Sequence, residues 1–417
     1  MPLTKVHSVL LIALLPAVAL AKPLGKDTAE RAAPAQAAKP DSKAAGANSS
    51  TATANAPAPV SRTGPQAPNI AAKSYLLLDT QSGQVLVSQK ADDRIEPASL
   101  TKLMTAYLTF SALREKKLEL SQTVPVSQKA WKAEGSRMFI EPNRPVSVEE
   151  LMRGMIIQSG TDASVALAEA VAGSEEAFAE LMNKEAQRLG MSGTHYTNST
   201  GLPGAQHYTT ASDLSRIASA IISDFPDYYK YYSTKEYRYN NITQPNRNRL
   251  LWLDPSVDGM KTGHTENAGY CLITSAKREN RRLISVILGA ASDNARTNAS
   301  QKLLGYGFQF FETNRLHEKG AALKTLPIYK GQANEVRAGL SRDVYIALPK
   351  GDFGRHKETL TTTQPLLAPL DSGQKVGTLE VSIDGRTIGE YPVVALESVP
   401  LAGFFGRTWD SFRLLWK

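Results

Sequence analysis

Apolar positions occur in two spacings along this chain, and the change from one to the other predicts its elements. Residues 75–78 and 85–87 are apolar runs on either side of Gln81-Ser82-Gly83, which reads as a β-hairpin. After Pro97 the spacing becomes helical: Leu100, Leu103, Met104, Tyr107 and Leu108 fall on one face, so a helix begins at Ser99. Ser147-Val148-Glu149-Glu150 has the form of a capping box, with Leu151, Gly154, Met155 and Gln158 continuing that helix. A second helix is predicted over 162–172. Residues 270–275 and 282–288 are β-rich runs about a charged connector, 277–281, and predict an antiparallel hairpin. Beyond Asn314 the helical spacing fades. The runs 344–348, 360–367, 378–383 and 386–394 read as strands, with Asp384-Gly385 as a hairpin turn, giving a small all-β domain over 318–398.

The two ends differ from the middle. Residues 1–21 read as a secretory signal, with Lys5 in a positive leader, an apolar stretch over 9–15 and Ala19-Leu20-Ala21 as cleavage site. Residues 22–67 are rich in Ala, Pro, Ser and Thr with almost no large apolar side chain, the composition of a disordered linker. A large folded domain then spans 68–317. Over 399–417, Leu401, Phe404, Phe405, Trp409, Phe412, Leu415 and Trp416 follow helical spacing, with Arg407, Arg413 and Lys417 off that stripe. This predicts an amphipathic helix lying on a membrane surface. An exported chain anchored in this way would sit peripherally on the periplasmic face of the inner membrane.

Composition narrows the chemistry. A net charge of +8 suits anionic lipid or cell-wall polymer, while the dispersed cations and the export signal argue against nucleic acid. The single cysteine, Cys271, excludes an intramolecular disulfide and lies in an apolar run, as a buried strand residue would. No zinc-ligand spacing occurs, so neither metal nor cofactor is expected.

Three short elements could carry a reaction. In Ser99-Leu100-Thr101-Lys102 the serine and lysine lie one helical turn apart on one face, where a desolvated amine can take the hydroxyl proton. Ser159-Gly160-Thr161 occupies the short connection between two predicted helices, and Lys261-Thr262-Gly263 opens the strand-rich region. Each alone has an ordinary explanation: an N-cap serine, a turn with capping hydroxyls, a surface turn. In this order, the trio resembles the active-site set of penicillin-binding proteins and serine β-lactamases.

Longer runs extend the resemblance over residues 70–417. They are Gly135-Ser136-Arg137-Met138-Phe139, Asn246-Arg247-Asn248-Arg249-Leu250-Leu251-Trp252, Val257-Asp258-Gly259-Met260, Gly307-Phe308-Gln309-Phe310-Phe311-Glu312-Thr313 and Gly403-Phe404-Phe405-Gly406. Together they resemble low-molecular-mass penicillin-binding proteins that are D-alanyl-D-alanine carboxypeptidases. The resemblance implies an α+β, transpeptidase-like domain (an antiparallel sheet covered by helices), then the small all-β domain and the C-terminal amphipathic helix. It implies that Ser99 attacks the penultimate D-alanine carbonyl of a peptidoglycan stem peptide, with Lys102 as general base and Ser159 relaying a proton to the leaving amine. Backbone N–H groups of Ser99 and of the strand near His264 would hold the oxyanion. Lys261, Thr262 and Arg296 would hold the terminal carboxylate, with Gly263, His264, Thr161 and Arg247 also in the substrate site. β-Lactam antibiotics would acylate Ser99.

One residue departs from the pattern: the family's second motif usually ends in Asn, and here it ends in Thr161, whose single hydroxyl cannot both donate and accept with an amide's reach. Altered deacylation or substrate preference is the expected consequence. Three other readings compete. A β-lactamase would need neither the β domain nor the terminal helix, and no counterpart of the E-x-x-L-N segment is found. A DD-endopeptidase would cut cross-links with the same machinery. A turnover-deficient penicillin- and peptidoglycan-binding module would keep the site and lose hydrolysis.

Overall fold

The computed structural model describes residues 65–404 and 408–410. The leader at 1–21, nearly all of the segment 22–67 and much of the C-terminal stripe lie outside the described residues.

Five antiparallel strands form the central sheet, in the order Val85–Gln89, Ser74–Asp79, Arg281–Ala290, Gly269–Arg278, Val257–Thr265. Leu76 pairs with Val286 and Tyr75 with Ile287, and this register sends alternate residues to opposite faces. Leu76, Ile284 and Val286 join one core with Leu103, Met104 and Tyr107 of the helix Lys102–Arg114. Leu77, Leu283 and Ile287 join another with Leu303 and Leu304 of the helix Asp293–Phe310. Both faces are covered, which is why these strands read as continuous apolar runs. Cys271 is buried in the sheet, and burial pushes its thiol up to about 11, so it is inert at neutral pH.

The helices form where the spacing places them, with two refinements. Ser147 caps the helix Val148–Arg153 by the reciprocal bonds of a capping box, but the chain then widens into a π-helical turn, Gly154–Gln158. That turn ends on Ser159, whose φ of 70° stops the helix. The helix Thr161–Ala172 starts immediately afterwards.

From residue 311 to 395 the chain is built of β-strands, with one short 3-10 turn at Phe353–Arg355. A six-stranded sheet runs His356–Thr362, Lys375–Ile383, Arg386–Ala395, Glu335–Leu340, Ala322–Tyr329, Leu366–Leu367, and Phe311–His317 pairs with Val344–Pro349. Its core is its own, including Leu326, Val336, Ile346, Val381 and Val393. Asp384 and Gly385 both have positive φ, as a two-residue hairpin turn requires.

Three expectations change. The strands between 311 and 340 were not expected: Pro327 and Gly339 interrupt the alternation of two of them, and Phe311–His317 carries four polar residues in a row, Glu312 to Arg315. The run 360–367 is two strands, since Pro365 has no N–H to continue a ladder. Leu401 does not begin a helix. It bridges Gly331, just as Val399 bridges Leu370, because Pro400 between them favours extended backbone. Of the expected stripe, Phe404 and Trp409 are helical and exposed, while Asp410 is buried and accepts a bond from the Lys330 N–H. Among the described residues no helix is long and apolar enough to cross a membrane.

Candidate active site

The strand Val257–Thr265 ends the central sheet, and the free side of this edge strand faces the helical turn Ala98–Thr101. Gly263 makes that approach possible. A Cβ there would lie 3.2 Å from both the Ala98 Cβ and the Pro97 carbonyl oxygen. Ser99 and Lys261 are thereby brought to the two walls of one cleft.

Ser99 is half-buried and follows Ala98, whose φ is +47°. Lys102 is 2% exposed, and its Nζ lies 3.3 Å from Ser99 Oγ and donates to the Thr200 carbonyl at 2.6 Å. Among the described residues no carboxylate is within bonding distance of it. Burial lowers its pKa from 10.5 to about 7; the charges of Asp162 and Glu175 oppose that drop and Arg247 adds to it. Near neutrality, therefore, a large share of the amine is unprotonated beside a serine hydroxyl, which is the condition for activating it.

The second wall repeats the pairing. Lys261, 3% exposed, donates from Nζ to Ser159 Oγ at 2.9 Å and to the Thr262 carbonyl at 2.9 Å. Its pKa is well below the ordinary value, first through burial and then through the charges of Lys102, Arg247 and Arg296. Ser159 holds a left-handed backbone, a strained conformation for a non-glycine residue, and the Gly160 N–H bonds back to the Gly154 carbonyl at 3.0 Å.

Thr161 is buried beside these groups, its N–H donating to the Ser136 carbonyl at 2.6 Å. Its Oγ1 is 3.2 Å from where a Cβ on Gly135 would fall. The next residue, Asp162, is fully buried and accepts from the backbone N–H groups of Met138, Phe139 and Ile140 at 3.0, 2.8 and 3.3 Å. This carboxylate clamps the Gly135–Phe139 run over the second motif. Sequence reasoning missed it, although it sits directly behind Thr161.

The remaining candidates divide. Thr262 is buried on the edge strand next to Lys261, and His264 is exposed with its ring 4.1 Å from that of Tyr270. Arg247 is exposed, held between buried Asn246 and Asn248, which donate to the carbonyls of Thr234 and Gly259. Desolvation and the Arg296 charge lower its pKa. Arg296 lies behind the edge strand. Its Nη1 donates to the carbonyls of Gly263 (3.0 Å) and Cys271 (3.1 Å), and its Nη2 bonds Asp293. It reaches the cleft as a charge and a strand support, with its Nη1 donors already occupied. Among the described residues no group of side chains could hold a metal ion.

A segment without a sequence signal completes the site. Asn198 Oδ1 accepts from the Thr200 N–H, the Thr200 hydroxyl and the Gly201 N–H, which folds 198–201 into a tight turn. The turn lies directly on the Ser99 backbone: Gly201 has φ +86°, and a Cβ there would stand 1.8 Å from the Ala98 carbonyl oxygen.

Comparisons with known proteins agree with this geometry. The profile of a family described as D-alanyl-D-alanine carboxypeptidase matches residues 61–292, and that of the penicillin-binding protein 5 C-terminal domain matches 311–401. The D-alanyl-D-alanine carboxypeptidase DacC of Escherichia coli (strain K12) is 43% identical over 353 residues, 83% of this chain and 88% of that protein. Penicillin-binding protein 5 from Haemophilus influenzae superposes with a TM-score of 0.77 at 40% identity, covering 81% of this chain and 100% of that one. Penicillin-binding protein D2 from Listeria monocytogenes, in its ampicillin-bound form, gives 0.55 at 30% identity, covering 58% and 100%.

Substituting Gly201 by Ala should displace the turn from the Ser99 backbone. We expect a stability loss of at least about 2 kcal/mol by chemical denaturation, together with reduced Ser99 reactivity.

Proposed function

This chain belongs to the D-alanyl-D-alanine carboxypeptidase family, and on that premise we propose that it releases the terminal D-alanine of peptidoglycan stem peptides through an acyl-enzyme on Ser99. The observation that carries the reading is the pairing of Ser99 with a buried amine whose pKa is about 7, opposite a second serine–lysine pair.

The neutral Lys102 amine takes the proton of Ser99 Oγ as the oxygen attacks the penultimate D-alanine carbonyl. Backbone N–H groups of Ser99 and of the edge strand stabilise the oxyanion. The proton held by Lys102 is passed on to the departing D-alanine nitrogen, with Ser159, bonded to Lys261, as the relay. This leaves Lys102 neutral and Ser159 a hydroxyl again, and water then hydrolyses the ester. Lys261 is depressed by burial and by three neighbouring cations, and an arriving carboxylate opposes that shift by favouring the charged amine. Lys261, Thr262 and Arg247 thus form a site selective for a free terminal carboxylate, with Arg296 adding charge from behind. β-Lactams acylate the same serine.

Free D-alanine released from diacetyl-Lys-D-Ala-D-Ala over many turnovers, and lost in Ser99→Ala, is the expected result. The rate should rise with pH through about 7 as Lys102 gives up its proton. A single stoichiometric burst would instead indicate the turnover-deficient module, and release only from cross-linked dimers the endopeptidase.

Thr161 distinguishes this chain within its family. Because it is buried between Ser159 and Gly135, Thr161→Asn is expected to change the hydrolysis rate of a penicilloyl-enzyme by at least about threefold, followed by loss of a bound fluorescent penicillin. Unchanged acylation and deacylation would remove Thr161 from the account.

We further propose that the chain is exported and held on the periplasmic face of the inner membrane by its C-terminal stripe. Exposed Phe404 and Trp409 support this. Truncation after Ala402 keeps the Val399 and Leu401 bridges and should release the protein from membranes while soluble-peptide activity continues. Retention on membranes, with the leader removed, would contradict the anchor.

A further inference from the structure

One buried titratable side chain beside the cleft has no part in the reaction just described. His207 is 2% exposed. Its Nδ1 lies 2.9 Å from the Thr197 backbone nitrogen, and its Nε2 lies 2.8 Å from Thr101 Oγ1. A backbone N–H can only donate, so Nδ1 is the acceptor and the ring proton resides on Nε2, which donates to the Thr101 hydroxyl. Both ring nitrogens are therefore committed.

The two partners belong to the two backbone pieces that define the nucleophile. Thr101 is fully buried and lies in the same helical turn as Ser99, directly before Lys102. Thr197 leads into the 198–201 turn, whose Thr200 carbonyl accepts from Lys102 and whose Gly201 rests on Ala98 and Ser99. Burial, with a smaller contribution from His195, pushes the His207 pKa down to about 4, so the neutral tautomer persists across the working range. The ring also meets Tyr196 edge-on at 5.8 Å. On its outer side a cavity of about 540 Å³ is lined by Arg94, Glu96 and Tyr208.

We propose that His207 is a positioning residue for the Ser99–Lys102 pair, joining the turn that carries them to the segment that holds the Lys102 amine. It touches no reacting atom. Its effect runs through Thr101 to Ser99 Oγ, and through Thr197 to the Thr200 carbonyl. Loss of the Thr101 contact leaves a buried hydroxyl without its partner and lets the two pieces move apart, which separates amine from nucleophile. The charges that surround Lys102 (Asp162, Glu175, Arg247 and Lys261) are untouched by a change at His207, so the loss should appear in the chemical step and not in substrate capture. This inference rests on Ser99 and Lys102 being nucleophile and base.

The test uses the full chain with His207→Asn, His207→Gln and Thr101→Ala. Asparagine can accept from Thr197 but does not reach Thr101, whereas the glutamine amide nitrogen can take the position of Nε2. His207→Asn should lower kcat, and the rate constant for acylation by a penicillin, on the order of tenfold, with KM within about twofold. Thr101→Ala should reproduce that loss with the imidazole intact. His207→Gln, which restores the Thr101 contact and gives up the one to Thr197, should recover the rate in part, to above His207→Asn and below wild type. Wild-type rates in a cooperatively folded His207→Asn, or in Thr101→Ala, would overturn the inference. So would kcat and KM declining together with thermal stability and no recovery by glutamine, since that pattern means packing alone. Ser99→Ala run in parallel separates the two failures: if it stays inert while His207→Asn is wild type, only the positioning role is lost.

Discussion

Burial of the Lys102 amine, with no carboxylate among the described residues in contact with it, is the constraint on which the rest of this site depends. Lowering a lysine from 10.5 to about 7 corresponds to a penalty on its charged form of order 5 kcal/mol. The fold sustains that penalty by surrounding the amine with a backbone carbonyl, a serine hydroxyl and apolar core. A carboxylate within bonding distance would satisfy the lysine and leave it protonated, and so useless as a base. Asp162 and Glu175 are instead occupied elsewhere, the first by the backbone of 138–140 and the second by Ser199.

Much of the surrounding architecture serves this placement. The central sheet supplies an edge strand that stops short of a sixth partner, and a glycine on that edge admits the Ser99 turn. The 198–201 turn closes from the other side, again through a glycine. Each wall then carries one serine and one lysine, and the Lys102 charge adds to burial in depressing Lys261. An empty site of this kind holds less positive charge than its residue count suggests. An anionic ligand favours the charged form of Lys261, while Lys102, facing the serine hydroxyl, must stay neutral to act as a base.

Among the described residues the β domain supplies none of the site residues, and polar contacts tie it on in more than one place. Gln84 accepts from the Ala347 N–H and donates to the Ile388 carbonyl, and a second junction forms around Asp79. Asp79 in the central sheet accepts from Arg281 at 2.8 Å and from Thr313 at 2.6 Å, while Arg281 donates to the carbonyls of Gly307 and Phe311. Helix end, sheet and first β-domain strand meet at this buried charge. Such a junction fixes geometry more than it adds stability.

What the sequence determined by itself were the local matters: the hairpin at 74–89, the helix behind Ser99, the capping box at Ser147, the strands carrying Cys271, and the identity of the three motifs. These are set by spacing, caps and turn residues within a few positions of one another, so they survive without a fold. The strands over 311–340 escaped because proline, glycine and a polar run at 312–315 break their alternation, and Leu401 was misread as helical because stripe spacing ignores the proline before it. In the site, the Ser99–Lys102 pair was legible from its spacing, but Ser159 and Lys261 were legible only as residue types and their pairing was not. That Ser159 meets Lys261, that Arg296 lies behind the strand, that Asp162 clamps the 138–140 backbone, and that Thr200, Gly201 and His207 hold the nucleophile depend on contacts between segments up to 106 residues apart. The depressed lysine pKa values have the same origin. Burial is a property of the assembled core, and only tertiary structure can withdraw an amine from water.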